Sequence, residues 1–112
     1  MTLVRALAAA AFGVSLFAAC AAHAQDADPA KTLYEDNCRK CHGVKGTPPK
    51  AMKTKFPKIV TFDAEFFAKR SDDSVVSVLS KGKNDDMKSF KDKMSAEQMV
   101  LVARYIRGMA AK

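Results

Sequence analysis

Two apolar patterns divide the chain. Residues 3–22 (LVRALAAAAFGVSLFAACAA) are apolar without a period, interrupted only by Arg5 and Ser15, and the sequence turns polar at Gln25. From residue 28 onward the apolar positions recur at helical spacing instead. Asp28-Pro29 reads as an N-cap followed by proline at the first helical position. Residues 29–41 then run helical, with Leu33, Tyr34, Cys38 and Cys41 on a shared side. Gly43 and Gly46-Thr47-Pro48-Pro49 end that helix and open a loop. Ser71 caps a middle helix holding Val75, Val78 and Leu79, which stops near Gly82. Ser95-Ala96-Glu97-Gln98 is a capping box. The last helix carries Met99, Val102, Ala103, Ile106 and Met109 along one stripe, with Tyr105 at its edge. No strand-like alternation and no internal repeat rises above this pattern. The expected class is all-α.

The N-terminal block has the parts of a secretory signal. Met1 to Arg5 supplies a short basic start, an apolar run follows, and Ala22-His23-Ala24 forms a small-x-small exit. The expected division is a signal peptide over 1–24 and a single domain over 25–112, placed in the periplasm with no stable membrane insertion after cleavage. A retained anchor is the competing reading, because a run of this length could nearly span a bilayer. The alanine richness and the exit site favour removal. Cys20, preceded by Phe17-Ala18-Ala19, allows a minority reading in which the protein is lipid-anchored through that cysteine.

A chain of 112 residues holds one domain, and the part after Ala24 is near the lower limit of what burial alone stabilises comfortably. Small exported domains are often reinforced by disulfides or metals. Outside the signal only Cys38 and Cys41 remain, too close in sequence to join distant segments. Any reinforcement must be something that this pair holds.

The pair stands in Cys38-Arg39-Lys40-Cys41-His42, and C-x-x-C-H is the attachment signature of c-type haem. Each thiol adds across one vinyl group of the porphyrin rim, and the next residue offers an imidazole to the iron. On a helix, Cys41 falls about 60° to one side of Cys38 and His42 about 40° to the other, so all three share one arc. A thioredoxin-like pair would need a strand–helix context that is missing here. A structural zinc site would need a fourth ligand, yet the other histidine, His23, lies in the signal. A plain disulfide needs no histidine. One covalent haem c is the expected cofactor.

The region 28–111 resembles the class I c-type cytochromes. The likeness rests on Leu33-Tyr34-Glu35-Asp36-Asn37 before the haem motif, the motif itself, Met87-Lys88-Ser89-Phe90, and Ala103-Arg104-Tyr105-Ile106-Arg107 in the closing helix. It implies a cytochrome c-like fold of about three to four helices and loops around one haem, with first and last helices crossing. Tyr34 and Tyr105 match the aromatic positions at that crossing, and Ala30 matches a position where relatives often have glycine. A low-spin carrier needs a second axial ligand, and a thioether favours ferrous iron. By resemblance Met87 occupies the family's methionine loop, opposite His42 as proximal ligand. Met99 and Met109 read as core, Met94 lies near the last cap, and Met52 sits in a lysine-rich loop. Many relatives frame the ligand methionine with glycine and proline, where this chain has Asp86 and Lys88. A proline carbonyl in the loop after the motif orients the histidine in this family, which points to Pro48 or Pro49. Phe56, Ile59, Phe62, Phe66, Phe67 and Leu79 are the expected haem wall.

Charge bears on partners. The chain carries +7, from 19 basic and 12 acidic residues. Arg39, Lys40, Lys45, Lys50, Lys53, Lys55 and Lys58 surround the motif and its following loop, while Lys81, Lys83, Lys88, Lys91 and Lys93 flank Met87. A positive border of this kind steers redox proteins with acidic docking surfaces; a generally basic, soluble surface explains the same residues. Nucleic acid is not an expected partner, and a monomer is expected. The favoured function is a diffusible electron carrier and not an enzyme, its iron saturated by His42 and Met87. The alternative is a haem enzyme subunit or gas-binding cytochrome whose sixth position is open or displaceable.

Overall fold

The computed structural model describes Gly13 and residues 28–111. Apart from Gly13, the expected signal peptide over 1–24, including Cys20 and its lipid-anchor alternative, lies outside the described residues. Within them the chain is all-helical, in the order α1 (Pro29–Asn37), α2 (Arg39–His42), α3 (Lys50–Lys55), α4 (Ala64–Ala68), α5 (Asp72–Lys81) and α6 (Ala96–Met109). No described helix is long and apolar enough to cross a membrane.

The helix starts follow from local chemistry. The Asp28 side chain accepts the Ala30 N–H, with proline in the first turn of α1. The Ser71 hydroxyl accepts the Ser74 N–H at the start of α5. Ser95 and Gln98 exchange bonds as a complete capping box at α6. Each such cap satisfies backbone donors that the helix itself leaves free. Helices α3 and α4 were not expected. The first buries no residue; the second is held at its start by Asp63, whose carboxylate accepts the Phe66 N–H at 2.9 Å.

The expected single helix over 29–41 is divided at Cys38. That residue turns to φ −122° while its N–H still bonds the Tyr34 carbonyl. Beyond it, the Cys41 and His42 N–H groups both converge on the Cys38 carbonyl, at 3.2 and 2.9 Å. One carbonyl shared by an i−3 and an i−4 partner marks a tightened turn.

The core forms where α6 packs against both α1 and α5. Tyr34, Val102 and Ala103 are almost completely buried, and Ala30 is buried as well. Tyr34 and Tyr105 lie 5.5 Å apart at a tilt of 49°, as expected of aromatic residues at the crossing. At its far end α6 is fixed by Arg107. Its Nε bonds the Asp72 carboxylate at 2.5 Å, its Nη2 bonds the Arg70 carbonyl at 2.8 Å, and its guanidinium lies over Phe67.

Candidate haem-attachment site

The short helix α2 and the residue before it carry both thiols. Cys38 is buried and Cys41 half-buried, and neither is in a disulfide. Burial, reinforced by the neighbouring Cys41, pushes the Cys38 thiol up to about 11. His42 is buried directly behind them, its ring stacked on Phe62 at 4.7 Å and 19°. Desolvation lowers the imidazole pKa, opposed by the Val60 carbonyl beside the ring. Nδ1 has no hydrogen-bond partner, so Val60 acts as a nearby dipole and not as a bonded acceptor. A buried polar atom without a partner is costly unless another group completes it. The neutral imidazole is also the form that ligates metals. Two free thiols and a buried, neutral imidazole on one turn fit a covalently held metalloporphyrin.

The expected proline acceptor is not seen. The Pro49 carbonyl accepts the Met52 and Lys53 N–H groups, at 2.9 and 3.0 Å, because Pro49 caps α3. Neither Pro48 nor Pro49 bonds His42; the carbonyl beside the imidazole is that of Val60.

The turn after His42 is shaped by two glycines and a tyrosine. Gly43 has φ +81°, and a Cβ there would fall 2.1 Å from the Thr47 carbonyl oxygen. At Gly46, with φ +79°, a Cβ would meet Phe62 at 2.9 Å and the Met109 sulfur at 3.0 Å. The Gly46 carbonyl accepts the Phe62 N–H, which brings Phe62 up against His42. The Tyr34 hydroxyl donates to the Gly43 carbonyl at 2.6 Å. Sequence reasoning placed Tyr34 at the helix crossing but missed this bond. The available signal was the hydroxyl itself, since a buried tyrosine needs a partner for it.

Met87 lies in the loop between α5 and α6. It is half-buried and packs against the core cluster that contains Cys38, Phe62, Phe67 and Leu79. Its amide and carbonyl are both hydrogen-bonded within the loop. Met94 and Met99 are buried core residues, and Met109 is partly buried against the same cluster. Of the expected haem wall, Phe62, Phe67 and Leu79 are core and Phe66 packs on it, whereas Phe56 and Ile59 are half-buried outside that cluster. All twelve lysine and arginine positions noted around the motif and around Met87 are exposed, and Val44 among them is 60% exposed.

Comparison with known proteins bears on the family. A family model described as cytochrome C oxidase, cbb3-type, subunit III matches residues 25–106. Among solved structures, the KustC0563 c-type cytochrome is similar with a TM-score of 0.64 and 31% identity, over 71% of this chain and 95% of that one. A tyrosine-to-phenylalanine mutant of Kustc0563 is similar at 29% identity and the same TM-score, over 72% of this chain and 98% of that one. No curated protein matches the chain.

Proposed function

The chain belongs to the cytochrome c oxidase, cbb3-type, subunit III family of haem-binding electron-transfer cytochromes, and from that premise we propose that it is a diffusible carrier of single electrons with His/Met axial ligation. Members of the c-type family hold haem c covalently. Here Cys38 and Cys41 are the attachment residues. Their thiols would hold the haem through two thioether bonds at its vinyl groups. His42 and Met87 would supply the two protein ligands to its iron. The bound haem supplies a one-electron ferric–ferrous couple.

The chain's own residues govern the rest. Burial keeps His42 neutral and so available as a ligand. Phe62 lies flat against its ring. A methionine at the sixth position favours ferrous iron and leaves no place for a substrate. In this reading residues 1–24 are removed on export to the periplasm, and the exposed lysines around the site meet redox proteins with acidic surfaces. The observation that carries the reading is the buried imidazole of His42 directly after two free thiols on the same turn.

The test is to mature the full chain in a host competent for c-type haem attachment. The expected product is red, has both thiols consumed, and gives a low-spin spectrum unaltered by carbon monoxide. Met87→Ala turns its iron high-spin and opens it to the gas. A colourless product with free thiols overturns the reading of the attachment site. Rapid gas binding by the wild type would instead select the sensor or enzyme alternative.

A further inference from the structure

Many relatives have glycine before and proline after the ligand methionine, and the fixed φ of that proline stiffens the loop. This chain has Asp86 and Lys88 at those positions, so something else must fix the Met87 peptide. Around Met87 the loop residues make a closed set of bonds. The Asn84 side-chain oxygen accepts the Asp86 N–H at 3.0 Å and the Met87 N–H at 2.9 Å. In return, the Met87 carbonyl accepts the Lys83 N–H at 2.7 Å and the Asn84 N–H at 3.3 Å. Both backbone polar groups of Met87 are therefore tied to residues 83 and 84, and its amide is held by the Asn84 side chain.

The frame of this clasp is rigid on both sides. Gly82 has φ +77°, and a Cβ there would fall 2.7 Å from the Ser89 nitrogen and 2.9 Å from the Lys88 carbonyl carbon. The loop thus closes directly over Gly82. On the outgoing side, the Ser89 hydroxyl donates to the Ser80 carbonyl at 2.6 Å and the Phe90 N–H bonds the Leu79 carbonyl at 2.8 Å. Residues 89 and 90 are anchored to α5, yet neither bond reaches the Met87 peptide. Only the Asn84 side chain and its adjoining backbone do so. Meanwhile the Met87 side chain packs inward on the core that contains Cys38 and Phe62.

We propose that Asn84 is the positioning residue for the sixth ligand: its side-chain oxygen holds the Met87 peptide so that the thioether faces the core, in place of the glycine–proline frame of relatives. This rests on Met87 being the distal ligand. Short side chains with a carbonyl or carboxylate oxygen bond their own backbone two and three residues on, which alanine cannot do. An exposed clasp of two such bonds shifts the balance between a closed and an open loop by about tenfold. An added ligand that competes with Met87 reads this balance directly, because its apparent affinity scales with the open fraction.

The experiment compares holoprotein of the wild type, Asn84→Ala, Asn84→Asp and Met87→Ala, titrating the ferric form with imidazole and recording the sulfur-to-iron charge-transfer band. Asn84→Ala is expected to bind imidazole about tenfold more tightly than wild type and to weaken the band. Asn84→Asp keeps the acceptor oxygen and stays within about twofold of wild type, and Met87→Ala binds most tightly and lacks the band. Thermal melts of all four are taken alongside. If Asn84→Ala lowers the melting temperature but leaves imidazole affinity and the band at wild-type values, Asn84 is only a loop staple and the proposal fails. If Met87→Ala itself keeps the band and the wild-type affinity, the ligand assignment is what has failed, and the clasp falls with it.

Discussion

The Tyr34 hydroxyl, buried in α1, donates to the Gly43 carbonyl at 2.6 Å, joining the first helix to the residue that follows His42. Tyr34 is 1% exposed, so water cannot replace the bond. Tyr34→Phe leaves the Gly43 carbonyl without this donor. Such a loss costs about 1–3 kcal/mol. For a domain of this size that lowers the melting temperature by roughly 4–8 °C per kcal/mol. A melt of the holoprotein by circular dichroism checks it; an unchanged midpoint would show that the bond contributes nothing.

The same hydroxyl gives stability a pH dependence. Burial, with smaller contributions from Cys38 and Tyr105, raises the Tyr34 pKa well above its ordinary value of 10.0. In the unfolded chain the phenol ionises near 10.0, while in the folded chain it keeps its proton. Above that pH the native state binds more protons, so stability is complete below it and falls as pH rises toward the folded value. Lysine deprotonation is common to wild type and Tyr34→Phe. The difference in stability between the two should therefore shrink above pH 10, as measured by urea melts across the alkaline range. A constant difference would contradict the assigned burial.

Gly43 is the least replaceable position in the turn. Its positive φ disfavours any side chain, and a Cβ would overlap the Thr47 backbone carbonyl, which has no flexible end to yield. Gly43→Ala should cost about 2–4 kcal/mol from strain and steric overlap together. Because the displaced turn carries His42, the yield of haem-loaded protein should fall with stability. Haem staining of equal amounts of expressed chain measures this. Gly108→Ala, where a Cβ meets nothing within 4 Å, is the matched control and should stain as wild type.

How much of this was legible beforehand differs from segment to segment. The long helices were readable because Asp28, Ser71 and Ser95 are caps placed just before an apolar period. Helix α3 was not, since it buries no residue and so has no apolar stripe. Helix α4 spans one turn, too short for periodicity, and its cap at Asp63 was not picked out. The break at Cys38 escaped a regular 100° projection because the turn tightens there. Cys38, Cys41 and His42 could be picked out because their spacing is itself the chemical signal. What holds them could not. The stack of Phe62 on His42 depends on the Phe62–Gly46 backbone bond across a loop, and no local pattern encodes that pairing. The same holds for Val60, which stands beside the imidazole where a proline carbonyl was expected.

Arg107 tests whether the far end of α6 is coupled to the site. Its ion pair with Asp72 is 38% exposed on both sides, so solvent screens it and it contributes under about 1 kcal/mol. The bond to the Arg70 carbonyl and the contact with Phe67 add to it. Together they make Arg107→Ala destabilising by about 1–2 kcal/mol. Arg107→Lys should recover little, because an ammonium cannot make both bonds while lying flat on a ring. The haem spectrum should not move in either variant, since none of these contacts involves α2 or Met87. A spectral change would mean that α6 transmits strain to the haem.

Lys40 and Lys45 flank Val44, which is 60% exposed beside the attachment motif. An exposed apolar side chain with exposed lysines close to it in sequence suits brief docking: the charges accelerate encounter, and the small apolar contact releases quickly. Reversing both lysines to glutamate should slow electron transfer with an acidic redox protein by about tenfold or more at low ionic strength. The stopped-flow rates of variant and wild type should converge as salt rises and the Debye length shrinks to about 8 Å near physiological strength. A small neutral reductant should reduce both proteins equally, because it feels no field. Equal rates with the acidic protein at every salt concentration would show that docking occurs on another face.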